Sequence, residues 1–151
     1  MTNINPLLLD ERWKILIPEW ETLASHTIEK ATEILSKDLE GQEVSVVLTN
    51  DTEIQKLNKA YRHQDKPTNV LSFPADIEGE LGDIILAYET IEKEAKDAHI
   101  TVHDHLTHLI IHGFLHLLGY DHETQEEAER MEALEIQILA DLNVANPYEE
   151  K

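Results

Sequence analysis

The sequence predicts an α+β fold: a single small mixed β-sheet covered by helices, with one buried, metal-binding helix. Three observations lead there. Short β-branched runs alternate with segments of helical period through the first two thirds of the chain, and helix alone follows, an order that suits a small sheet with helices laid over it. At 151 residues and 41% hydrophobic content the chain can bury one core without covalent staples, and no repeat, low-complexity tract or linker divides it, so residues 1–151 are expected to form one domain. The longest apolar stretch, Leu109 to Tyr120, is broken by two histidines, His112 and His116.

Taken in order, Trp20, Leu23, Ile28, Ala31 and Leu35 keep an apolar stripe at spacings near three and four, which predicts a helix from about Pro18 to Leu39, closed by Gly41. The short β-branched run Val44 to Thr49 reads as a buried strand. Asn50 and Asp51 supply an N-cap for a helix from about Thr52 to Tyr61, and Pro67 bars its continuation. Two further strands are expected over 69–73 and 81–86, joined by a polar loop with Pro74 and Gly79. Then come a short helix over 89–97, a long and largely buried one over 101–118, and an amphipathic one over 124–142 striped with Met131, Leu134, Ile138 and Leu142. Gly119 stands where a left-handed C-cap belongs.

The chain has no cysteine, so any transition-metal site must use imidazole and carboxylate ligands. The first ten residues lack a basic region and a long apolar run, and Leu109 to Tyr120 is too short to span a membrane, which leaves a cytoplasmic protein without membrane association as the expectation. A net charge of −19 argues against broad electrostatic capture of nucleic acid. The basic residues are nonetheless uneven: four of twelve, Lys56, Lys59, Arg62 and Lys66, fall within eleven positions, as a local phosphate-binding spot or as solvated charges on one helix face.

His112 and His116 are four apart, so on a helix their rings share a face and can converge on one ion, about 2.0–2.1 Å from each nitrogen. Gly119 permits the reversal that returns His122 to the same point. Three histidines leave a coordination position open, the arrangement of a catalytic rather than a structural zinc. The spacing equals that of the metzincin protease signature H-E-x-x-H-x-x-G-x-x-H, except that position 113 is Gly where those proteases carry their general-base Glu. Around this core, His108 is either a partner of the ligands or a plain surface or core residue. His103 and His105, near the helix start, are expected to be solvated. Asp121 either orients a ligand imidazole or caps the last helix.

The segment His112-Gly113-Phe114-Leu115-His116-Leu117-Leu118-Gly119-Tyr120-Asp121-His122 resembles the signature H-G-x-L-H-L-x-G-Y-D-H of the YbeY family of bacterial endoribonucleases, with every fixed position present. Asn58 to Pro74 is similar to that family's N-x-x-[YF]-R-x-x-D-x-P-T-D-V-L-S-F-P stretch, departing at position 69, where Asn replaces Asp and drops its charge. Leu81-Gly82-Asp83-Ile84 resembles its G-D-I strand, so the likeness spans positions 58 to 122.

The resemblance implies that His112, His116 and His122 bind one zinc ion per chain, although imidazole also suits nickel and related divalent metals. It implies that Arg62 faces the metal cleft as a catalytic residue, holding the charge that develops on a phosphodiester, with Lys59 or Lys66 guiding the RNA backbone. The expected activity is a single-strand-specific, metal-dependent endoribonuclease acting in maturation of the 16S rRNA 3′ end and in ribosome quality control, with ribosomal RNA and the small ribosomal subunit and its proteins as partners. Two rivals stand beside it. A metal-dependent peptidase would need a glutamate from elsewhere, such as Glu78 or Glu80, near the metal. A non-catalytic zinc-containing ribosome-assembly factor would close the fourth coordination position with a protein side chain.

Overall fold

The computed structural model describes residues 2–149. Four strands form one mixed sheet in the order β1-β2-β4-β3, where β1 is Asn3–Leu8, β2 Glu43–Thr49, β3 Val70–Pro74 and β4 Glu80–Ala87. β1, β2 and β4 run parallel, and β3 closes the other edge antiparallel to β4. The α+β expectation holds, and the helices are α1 (Arg12–Leu16), α2 (Trp20–Leu35), α3 (Asp51–Arg62), α4 (Tyr88–Ala98), α5 (Val102–Leu117) and α6 (Gln125–Asp141).

Strand alternation sorts the side chains into two layers. Val44, Val46 and Leu48 of β2 and Ile84 and Leu86 of β4 face one side, where they join Ile28, Leu106, Ile110, Phe114 and Ile138 in the main core. Ile85 and Ala87 face the other and meet Ile54 of α3 and Leu71 of β3 in a smaller cluster. Helix α5 thus lies against the sheet within the main core. Ser72 of β3 donates to the carbonyl of Gly113 at 3.0 Å, and a Cβ at Gly113 would stand only 2.7 Å from Cγ2 of Ile84. Glycine at 113 is what lets the helix approach this closely.

Asn50 caps α3 as expected, its side chain accepting from the Glu53 amide at 2.9 Å. The amino-terminal third departs from expectation. β1 and α1 have no strong local signature. β1 contains Pro6, tolerable because the strand lies at the sheet edge, and α1 is held by Trp13, wholly buried with its indole N–H donating to the Thr49 carbonyl at 2.8 Å. Helix α2 stops at Leu35 rather than near Leu39, because Ser36 takes a left-handed conformation (φ 53°) and turns the chain so that Leu39 reaches the core.

Candidate metal centre

Helix α5 begins at Thr101, whose side chain accepts from the Asp104 amide, and its buried face fixes the rotation that aims His112 and His116 together. It ends in a Schellman turn: the Tyr120 amide donates to the Leu115 carbonyl at 3.0 Å, the Gly119 amide to the His116 carbonyl at 3.0 Å, and Gly119 has φ +98°. This reversal carries His122 back to the helix. Ring centroids then lie 4.6 Å apart for His112 and His116, 5.1 Å for His116 and His122, and 5.8 Å for His112 and His122. Among the described residues, one nitrogen from each ring falls in a group whose members all lie within 4.8 Å of one another.

The donor set fits a tetrahedral divalent ion. Nε2 of His112 and Nε2 of His116 are 3.2 Å apart, against about 3.3 Å for two nitrogens on tetrahedral zinc. The buried carboxylate of Glu135 on α6 accepts from Nδ1 of His112 at 2.9 Å, so the proton sits on Nδ1 and the lone pair of Nε2 points at its neighbour. Burial, then the nearby His112 and His122 rings, holds the His116 pKa below its ordinary value, keeping that ring in the neutral form that binds metals.

Glu135 is the residue the sequence reasoning missed. Its other oxygen lies 2.6 Å from Nε2 of His108 and also accepts from the Tyr148 hydroxyl. Burial would raise its pKa, but the bonds from His108, His112 and Tyr148 prevail and lower it to about 2. A signal was available, since position 135 follows Met131 by four and precedes Ile138 by three, which sets a carboxylate on the apolar stripe of an otherwise acidic helix.

The three histidines open onto a cleft of about 520 Å³ whose polar wall includes Arg62, Thr68, Asn69, Ser72, Asp121 and Glu123. Arg62 ends α3, is exposed, and has no carboxylate partner among the described residues. Lys59 lies outside this lining and pairs with Asp65 at 3.8 Å; Lys66 also lies outside it, its carbonyl accepting from Asn58. Glu78 and Glu80 are likewise absent from the cleft wall.

Two alternatives left open by the sequence, at His108 and Asp121, are decided by the structure. His108 is a partner of Glu135, one step removed from His112. Asp121 does not cap α6, a role taken by Thr124; its carboxylate accepts from the His122 amide at 2.8 Å and lies 3.6 Å from Nδ1 of that ring. His103 is half exposed, as expected, whereas the expectation of a solvated His105 is corrected: its ring is 14% exposed and bonds Glu94 at 2.9 Å. Packing of α4 against α5 brings that carboxylate to it. Asn69 donates to the same Glu94 at 3.0 Å, so the Asp expected there would have set two carboxylates against each other. The His105 bond, with Asn69 assisting and burial opposing, holds the Glu94 pKa below its ordinary value.

Residues 8–143 match the family model described as Endoribonuclease YbeY. The chain is 51% identical over 144 residues to the endoribonuclease YbeY of Allorhizobium ampelinum, covering 86% of this chain and 85% of that protein. It is 47% identical over 144 residues to that of Bradyrhizobium diazoefficiens, covering 89% and 79%. Among solved structures, the solution structure of TM1509 from Thermotoga maritima matches with a TM-score of 0.61 and 29% identity, over 98% of this chain and 97% of that one.

Proposed function

The chain belongs to the YbeY family of endoribonucleases, and from that premise we propose that it cleaves single-stranded RNA at a zinc ion held by His112, His116 and His122. The observation that carries the reading is the open face of the three-histidine group, turned toward a cleft that also holds the Arg62 guanidinium, which has no carboxylate partner among the described residues. When bound, the ion supplies Lewis acidity, polarising the phosphate and acidifying a water. Arg62 binds two nonbridging oxygens of the scissile phosphate in a planar fork and stabilises the charge that grows on them. Asp121 fixes the backbone of the His122 turn by accepting its amide. Lys59 and Lys66, outside the cleft, steer the strand farther along its backbone.

The substrate in this reading is ribosomal RNA, at the 16S 3′ end, and the setting is ribosome quality control in the cytoplasm, with residues 1–151 acting as one hydrolase domain. A charge of −19 suits docking against basic proteins of the small ribosomal subunit while one cationic residue meets the RNA. No helix among the described residues is long and apolar enough to cross a membrane. The peptidase reading loses support because Glu78 and Glu80 do not line the cleft, and the glutamate that does, Glu123, is exposed beside the ligand His122. The assembly-factor reading loses support from the absence of a fourth protein ligand among the described residues.

The test is cleavage of a single-stranded ribosomal RNA fragment by wild type, His116→Ala and Arg62→Ala, before and after chelation and zinc reconstitution. Cutting that both variants lose and that zinc restores in wild type is the expected result. Stoichiometric zinc binding without cutting, or cutting that persists in both variants, overturns the nuclease reading. Product ends identify the nucleophile: a 2′,3′-cyclic phosphate assigns attack to the RNA 2′-hydroxyl, and a 5′-phosphate opposite a 3′-hydroxyl assigns attack to water.

A further inference from the structure

We propose that Glu135 is the positioning residue of the metal centre, locking His112 in its metal-binding tautomer, and that His108 and Tyr148 hold the carboxylate in place. This rests on the metal-centre reading above. Glu135 has no solvent exposure and sits where α6 crosses α5 beside His112. One oxygen takes Nδ1–H of His112; the other takes Nε2–H of His108 and the phenol of Tyr148. All three partners reach it as donors, so a single ionised carboxylate satisfies them together.

The consequence falls on one atom. With its proton held on Nδ1, His112 presents the lone pair of Nε2 to the point it shares with Nε2 of His116. The carboxylate also stops that ring's rotation, as partners behind metal-bound imidazoles do. Tyr148 belongs to the segment beyond α6, so a residue outside every helix and strand helps fix a ligand on α5. The stripe of α6 is otherwise Met131, Leu134, Ile138 and Leu142, and a charge among them is costly unless compensated. The histidine and tyrosine donors supply that compensation.

The experiment measures zinc dissociation constants by chelator competition, visible absorption of the cobalt(II)-loaded protein, and melting of the apo form. The variants are Glu135→Gln, Tyr148→Phe, His112→Ala and the double variant with Glu135→Gln and His112→Ala. Expected are a zinc affinity about 10- to 100-fold lower in Glu135→Gln, a smaller loss in Tyr148→Phe, and altered cobalt absorption in both. In the His112→Ala background the Glu135→Gln change should cost nothing further, because its effect runs through that ring. Wild-type zinc affinity in Glu135→Gln, or an undiminished loss in the double variant, overturns the proposal. If Glu135→Gln does not fold, Tyr148→Phe decides it: its hydroxyl contributes no core packing, so unchanged zinc affinity there overturns the clamp. Absence of zinc binding in wild type instead overturns the metal-centre reading itself.

Discussion

Two opposing terms meet at Gly113. In an ordinary helix, alanine would be favoured there by about 1 kcal/mol. Here its Cβ would stand 2.7 Å from Ile84 Cγ2 and 3.0 Å from Ser72 Oγ, and Ile84 is fully buried with no room to yield. Overpacking of this kind costs about 1–3 kcal/mol, so Gly113→Ala should lower the urea midpoint and, by displacing the helix between His112 and His116, weaken zinc binding. Arg62 contrasts with it, being exposed and unpaired among the described residues. Arg62→Ala should leave melting and zinc affinity unchanged while lowering kcat on RNA by about 10²–10³-fold. Arg62→Lys should recover only part of that rate, since an ammonium keeps the charge but not the two-pronged geometry.

At the scale of elements, each cap and turn acts by aiming the next segment. Gly119 ends α5 and returns His122, and Thr124 starts α6 in the register that delivers Glu135. The β1–α1 junction is tied by Asp10, which accepts from the Arg12 amide and guanidinium and from Asn50, the cap of α3. The side-chain bond from Arg12 outweighs burial and lowers the Asp10 pKa from 3.8 to about 2. A carboxylate with a depressed folded pKa stabilises fully above its unfolded value, and the contribution disappears as pH falls through the folded one. Wild type should therefore exceed Asp10→Asn by on the order of 1 kcal/mol at neutral pH, given the partly exposed arginine. The gap in melting temperature should close between pH 4 and pH 2. A gap that stays constant across that range would show that the two side chains differ in packing and not in charge.

For the whole molecule, the metal centre joins α5 to the turn before α6, so a bound ion links two elements that also pack through Glu135. Binding to the folded state alone stabilises it by about 2.7 kcal/mol at a zinc concentration 100 times the dissociation constant. For a chain of this length that should raise the melting temperature by roughly 5–10 °C. Chelation should reverse the rise, and His116→Ala should abolish it. A net charge of −19 opposes general attraction of RNA, so approach of the strand depends on local cations such as Arg62.

Much of the site was legible in the sequence because its parts are close along the chain. The spacing of His112 and His116, the glycine after them and His122 are local facts, and helix geometry converts them into a converging set without reference to the rest of the fold. Caps, chain breakers, β-branched runs and hydrophobic period likewise placed α3 to α6 and the three strands β2 to β4. What only the tertiary structure decided lies at long sequence distance. β1 is a strand because it pairs with β2 some forty residues later, through contacts such as Ile4 with Val44. Arg62 lines the same cleft as the histidines because the sheet places the end of α3 beside it, while Lys59 and Lys66 lie outside its wall. Glu135 reaches His112 across 23 residues and His108 across 27. Pairing and burial are properties of the assembled layers: a side chain's local sequence states what it can bond, and only the packing of one element on another states what it meets.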